Sequence, residues 1–305
     1  MVACPACDSD SHELYGRYKD EEYFTSEDRF EYRRCRACGS LFIDPMPVDR
    51  LSEIYPGNYY SFARGVSNPV VRLKERMDAR YFKAVLNSIV GPELAVLDVG
   101  GGTGWLLNLL RSLDPRVRRT QVVDLDPAAG VQARADGHEY ACQRIEEFSS
   151  PNMFDLVLML NLIEHVAAPR AVLRNVASLL SPGGLLIVKT PNVDAADARL
   201  FRSSYWAGLH VPRHWTLFTR ASFEQMLRGT GLAVQRFGYT QGAPFWAASV
   251  LAALRRQGWI EASRERPVVY HPLFSALGAA FAAFDLLRAP VARTSQMTFV
   301  LGRDG

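Results

Sequence analysis

Cys4-Pro-Ala-Cys7 and Cys35-Arg-Ala-Cys38 are two CxxC knuckles, each able to turn both thiolates toward one point. Together they complete a tetrahedral set of four sulfurs, the chemistry of a structural zinc ion. A catalytic dithiol would need a thioredoxin-like context, and the sequence around the knuckles has none. The fifth cysteine, Cys142, stands alone in an apolar setting and reads as a core residue. Further along, Asp98 is followed by Gly100, Gly101, Gly102 and Gly104. There the backbone can turn sharply and let a ligand approach main-chain N–H groups. Two later positions carry proton or metal chemistry: the pair Glu164-His165, and the string WAGLHVPRHW with His210, Arg213 and His214. A histidine there can serve as general base with a carboxylate orienting it, or the Glu-His pair can bind a divalent ion. The plainer readings are a loop capping the next helix, and side chains that only pin a loop by hydrogen bonds.

The elements that must position these groups begin with VLDVGGGTG at 96–104, an apolar strand, a tight turn and, from Trp105, a helix N-terminus. A dinucleotide fingerprint counted from Gly100 and Gly102 would place its third small residue at Trp105, far too large for close helix packing. A P-loop would end in Gly-Lys-Ser/Thr, and no lysine is present there. The DxGxGxG spacing that remains resembles the first motif of the class I S-adenosylmethionine (SAM) methyltransferases, and the likeness extends from about residue 95 to 237. The resemblance implies an α/β, Rossmann-like sheet of seven strands with the last one antiparallel. It also implies SAM bound by Asp98, Gly100, Gly101, Gly102, Gly104, Asp124, Leu125, Ile145 and Asn161.

Strand and helix alternate through this region. TQVVDL at 120–125 is a second strand ending at Asp124, about twenty residues past the glycines, where a carboxylate can accept from both ribose hydroxyls. Asp126-Pro127 reads as an N-cap with proline at the first helical position. Residues 138–142 form a short third strand, and the loop after it borders adenine in similar methyltransferases. Gln143 and Arg144 stand where those enzymes usually carry an acid, which leaves Ile145 to flank the ring. FDLVLML at 154–160 is a central parallel strand. The Asn/Asp-Pro-Pro-aromatic signature of amine methylation is missing after it. Glu164-His165 resembles instead small-molecule methyltransferases, including ubiquinone-pathway O-methyltransferases. A helix at 169–180, a Pro-Gly-Gly turn and a strand LLIVKT lead into an excursion of near thirty residues, uncommon unless functional. Its WAGLHVPRHWTLF is similar to a loop of zinc-ribbon methyltransferases associated with sugar, polysaccharide or natural-product pathways. A neutral hydroxyl needs a base, so His165, His210 and His214 are the catalytic candidates.

The chain divides into a zinc ribbon at 1–50, a linker and helix at 51–92, a SAM-binding core at 93–242, a helical insertion at 243–292 and a final core strand at 293–305. In the linker, Tyr59, Tyr60 and Phe62 either fold over the cofactor or pack the ribbon on the core. Apolar positions 70, 73, 77, 81, 85 and 89 trace one amphipathic helix. The 305 residues, 48% of them hydrophobic, suffice for a large core, and the net charge of +3 points to no polyanionic partner. In the ribbon nine carboxylates face three bases between Asp8 and Glu31, which would repel phosphate. No nucleic acid is expected, against the rival reading of an RNA methyltransferase docking through its ribbon; a SAM-binding scaffold without turnover is the other rival. The N-terminus lacks a signal-peptide h-region, so a cytoplasmic protein is expected. The two apolar, alanine-rich helices of the insertion are read as a core cover, a homodimer face or an interfacial membrane anchor, burial against protein being favoured. The expected acceptor is a hydroxyl of a small molecule: a sugar, a glycolipid precursor or a natural product.

Overall fold

The computed structural model describes residues 2–55 and 69–304, with backbone alone at 69–75. Tyr59, Tyr60 and Phe62 lie outside the described residues. The ribbon holds β1 (His12–Tyr18), β2 (Phe30–Cys35) and β3 (Leu41–Ile43). Helices α1 (Leu51–Ile54) and α2 (Pro69–Ser88) lead to β4 (Leu94–Val99), α3 (Trp105–Leu113), β5 (Val117–Asp124), α4 (Pro127–Ala135), β6 (Glu139–Cys142) and β7 (Phe154–Leu160). Then come α5 (Pro169–Leu179), β8 (Leu180–Pro191), α6 (Ala196–Leu200), β9 (Thr216–Leu217), α7 (Arg220–Met226) and β10 (Leu232–Thr240). Two helices, α8 (Ala243–Arg256) and α9 (Pro272–Arg288), precede the last strand, β11 (Gln296–Arg303).

Seven strands form one sheet in the order β10-β11-β8-β7-β4-β5-β6. The pairs among β4 to β8 are parallel, and β11 runs antiparallel between β8 and β10. Its strands are apolar on both faces because both are covered. Val96, Leu156, Leu158, Leu185 and Ile187 pack with Phe82, Val85 and Leu86 of α2 and Leu107 and Leu110 of α3. The alternate residues Leu97, Val99, Val157, Met159, Leu186 and Val188 pack with Val172 and Val176 of α5 and Phe223 of α7. That two-residue alternation is the pleat itself. Asp126 caps α4 as expected, its Oδ1 accepting from Ala128 N at 2.8 Å.

Two expectations need correction. Met77 and Tyr81 are exposed and Phe82 and Leu86 take their place in the core, so the buried stripe of α2 lies further round the helix. Cys142 is exposed, because β6 is the edge strand of the sheet. The ribbon is also extended by a strand from elsewhere in the chain. β9, from the excursion after β8, pairs with β3 as a fourth strand, Leu41 opposite Leu217. Tyr18, Tyr32 and Ile43 of the ribbon then share one buried cluster with Tyr205, Trp206, Leu209 and Trp215 and with Leu251 of α8. A unit too small to bury its own core borrows one from the excursion and the insertion.

Candidate active site

The glycine turn follows β4 at the carboxyl end of the sheet, where open α/β sheets bind ligands. Gly100, Gly102 and Gly104 have φ of 76°, 54° and 77°, values that side-chain-bearing residues rarely adopt. A Cβ on Gly101 would lie 2.6 Å from the Asp98 carboxylate, and one on Gly104 would strike His138, whereas one on Gly102 meets nothing within 4 Å. Two glycines thus fit tight packing, and the third faces open space. Asp124 ends β5, and its Oδ2 accepts from Gly102 N at 2.8 Å and its Oδ1 from Asp126 N at 3.0 Å. A carboxylate has about four acceptor positions, so room remains for two hydroxyl donors. Burial, with Asp124 near it, pushes the Asp98 carboxyl up to about 8. Leu125 is exposed beyond the strand end, while Ile145 is buried in the core, its loop held by Asn175 Nδ2 donating to the Ile145 and Phe148 carbonyls. Asn161, at φ 55°, ends β7, and its Oδ1 accepts from Gln296 Nε2 at 2.9 Å. These residues fit a nucleoside cofactor: a carboxylate with acceptor positions to spare and an uncluttered Gly102.

Next to this turn, Leu162 packs against Gly100, and the single 3-10 turn Ile163–His165 follows. The excursion folds onto that turn through Trp215 N donating to the Glu164 carbonyl at 2.7 Å. His165, His210 and His214 come together, with ring centroids 4.6 Å apart for His165 and His214 and 5.0 Å for His210 and His214. Glu164 does not orient His165. Its Oε2 accepts from Thr190 Oγ1 at 3.0 Å and its Oε1 lies 3.9 Å from His214 Nε2. His165 Nδ1 is instead 3.0 Å from the Arg213 carbonyl and 2.8 Å from Tyr55 Oη. His214 Nδ1 donates to the Gly208 carbonyl at 2.8 Å. Burial, reinforced by neighbouring positive groups, lowers His165 to about 3 and His214 well below its usual value, while burial raises Glu164 to about 8.

The groups that hold this cluster come from the ribbon, and sequence reasoning missed them. Glu22 Oε1 lies 3.1 Å from His210 Nδ1 and accepts from Tyr205 Oη at 2.8 Å. Asp20 Oδ2 accepts from Arg213 at 2.8 Å in an ion pair fully shielded from water, and Arg213 also lies over the Tyr23 ring. Against the upward push of burial, the Arg213 guanidinium and hydrogen bonds from Tyr23 and Thr25 hold Asp20 down to about 2. Glu21 pairs with Arg255 and Arg256 of α8. Part of the ribbon's acid excess is therefore turned inward. The available signal was local: Asp20-Glu21-Glu22 abuts Tyr23 and Phe24, and aromatics beside an acid run mark burial rather than a solvated face.

At the far end of the ribbon, Cys4 and Cys38 sulfurs lie 3.7 Å apart and those of Cys7 and Cys35 3.5 Å apart. Sulfurs arranged tetrahedrally about 2.3 Å from a zinc ion stand about 3.8 Å apart, whereas a disulfide needs about 2.0 Å. These spacings, with all four sulfurs within 4.8 Å of one another, are compatible with a four-sulfur zinc site.

A sheet with this strand order, one antiparallel strand beside the last parallel one and a glycine turn at its carboxyl end defines the class I SAM methyltransferase fold. The chain belongs to the methyltransferase-domain family, whose model matches residues 73–236. A ubiquinone biosynthesis O-methyltransferase of Bradyrhizobium sp. (strain ORS 278) is 37% identical over 115 residues, 35% of this chain and 43% of that protein. One of Rhodopseudomonas palustris (strain HaA2) is 32% identical over 154 residues, 46% of this chain and 59% of that protein. The chain thus spans about half the length of the curated relatives it matches. The solved structure of a coclaurine N-methyltransferase, bound to N-methylheliamine and SAH, is similar in fold with a TM-score of 0.52 at 15% identity, over 84% of this chain and 80% of that one.

Proposed function

We propose that this protein transfers a methyl group from SAM to a hydroxyl of a small molecule such as a sugar, a glycolipid precursor or another natural product. The observation that carries the reading is the His210–Glu22 pair in the cluster packed on the turn after β7. A carboxylate on Nδ1 fixes the tautomer that leaves Nε2 with a lone pair and stabilises the imidazolium formed when a proton arrives. His210 is thereby the proton acceptor, the acceptor oxygen approaching past His165, which is less buried than His210 and His214. His165 and His214, held neutral by burial and fixed through Nδ1 to carbonyls, orient that oxygen. Asp124 holds the ribose, and the main chain of Gly100 to Gly104, with Asp98, Leu125, Ile145 and Asn161 around it, forms the rest of the cradle. SAM, when bound, supplies an electrophilic methyl, so the chain's own task is alignment and removal of a proton. Cys4, Cys7, Cys35 and Cys38 hold a structural zinc ion in the same reading, and the two O-methyltransferase relatives support transfer to oxygen.

The test is transfer of labelled methyl from SAM into fractionated small-molecule extracts, with mass identification of the product. A methyl ether is expected. Label appearing only on nitrogen or carbon, or only in RNA, overturns the reading.

A further inference from the structure

We propose that Glu164, His165 and His214 form a binding site for one divalent transition-metal cation, separate from the four-cysteine site of the ribbon. Each of the three offers one ligand atom, and these atoms lie within 4.8 Å of one another. The pair Glu164 Oε1 and His214 Nε2 stand 3.9 Å apart, too far for a hydrogen bond. Two ligands about 2.1 Å from a shared cation stand about 3 to 3.5 Å apart, so this pair closes by under an ångström and the other two, within 4.8 Å, by no more than about 1.8 Å. Among the described residues Glu164 Oε1 is a buried oxygen with no hydrogen-bond partner. Such an orphan costs stability unless something polar or charged meets it.

The outer contacts point the same way. A carbonyl oxygen accepts and cannot donate. The contact to Gly208 therefore places the proton of His214 on Nδ1 and leaves Nε2 as its lone-pair nitrogen, while His165 Nδ1 is held between the Arg213 carbonyl and the Tyr55 hydroxyl. Glu164 Oε2 takes the Thr190 hydroxyl, which leaves Oε1 as the remaining oxygen. A ring fixed through Nδ1 to a carbonyl, with a hydrogen-bonded carboxylate beside it, is how metal-ligating groups are held. Two imidazoles and one carboxylate suit zinc, iron(II), cobalt(II) or manganese(II) better than magnesium or calcium, which take oxygen ligands. Three protein ligands also leave coordination positions open. The Glu22–His210 pair stands beside the cluster, so an acceptor oxygen on an open position would be acidified next to its base. This use rests on the methyl-transfer reading; the site itself rests on its geometry.

The experiment uses the full chain with its ribbon loaded with zinc and titrates it with cobalt(II) alone. Expected is one added equivalent of cobalt with visible d–d bands and no thiolate-to-cobalt charge-transfer band, since thiolates ligate only in the ribbon. Glu164→Gln and His214→Asn, the latter able to keep the bond to Gly208, should each weaken that binding at least ~10-fold. Near-UV circular dichroism and SAM-binding calorimetry check that each variant is folded. No d–d band, charge-transfer bands alone, or affinities unchanged in both variants overturns the site. Cobalt bound as expected in a protein that methylates nothing would sink the transfer reading and leave the site standing.

Discussion

The glycine cradle and the histidine cluster occupy the same end of the sheet, yet they are built in opposite ways. The cradle comes mainly from one contiguous strand, turn and helix, with Asp124 added by the neighbouring strand. The cluster is assembled from the ribbon, the linker, the turn after β7, the end of β8 and the excursion, joined by bonds as long in sequence as the 188 residues between Glu22 and His210. A site of the first kind depends on local backbone conformation. A site of the second kind exists only when distant segments are docked. Cofactor binding should therefore survive damage that abolishes transfer.

His210→Ala is the sharpest way to separate the two. It removes the proton acceptor but touches nothing in the cradle, so kcat should fall about 10²- to 10⁴-fold while the SAM dissociation constant stays the same. Paired kinetics and calorimetry check it, and a parallel loss of SAM affinity would show the two regions to be one cooperative unit. Arg213→Met attacks the docking itself. It strands the Asp20 carboxylate in a shielded site and should cost about 3–5 kcal/mol in denaturant unfolding. Adding Asp20→Asn to that variant should return part of the loss, because the uncompensated charge is what makes the single change costly. The reverse attack falls on Asp124. Asp124→Ala removes charge-assisted hydrogen bonds of about 1.5–3 kcal/mol. SAM affinity should drop roughly 10- to 100-fold, with cobalt binding at Glu164, His165 and His214 unaffected.

What could be read from the sequence follows the same division. The apolar run 154–160, the glycine spacing after Asp98 and the Asp126-Pro127 cap are decided within a few residues, and each stands as expected. The two CxxC knuckles are equally local and meet at tetrahedral spacing. The partners of Glu22, Asp20 and Tyr55 were illegible because nothing near them in the chain names them, even where the aromatics beside Asp20 and Glu22 signal burial. An acid bonded to a histidine far along the chain looks, in one dimension, like an acid in water. Cys142 and the stripe of α2 failed for a related reason. Apolar neighbours indicate that an element is amphipathic, but which side faces the core depends on what lies across the gap. Gln296, which holds Asn161, belongs to a strand that enters the sheet only after the whole insertion.

The smallest effect tests the two regions by the sign of their response to pH. Asp98 in the cradle is raised from 3.8 to about 8. Between those values the folded chain keeps a proton that the unfolded chain has lost, so stability falls as pH rises, by up to about 1.4 kcal/mol per unit. His165 in the cluster is lowered from 6.5 to about 3. In that window the unfolded chain holds the extra proton, so stability rises with pH. Below about 6.5 these two groups oppose one another. From about 6.5 to 8 the raised acids Asp98 and Glu164, both about 8, still lower stability as pH rises. Asp98→Asn removes one of the downward contributions there. Urea unfolding of the SAM-free protein across that interval should show the slope of stability against pH shifted upward by up to about 1.4 kcal/mol per unit. An unchanged slope would mean that Asp98 is already ionised in the folded chain, and that the cradle stabilises its charge as the cluster does not.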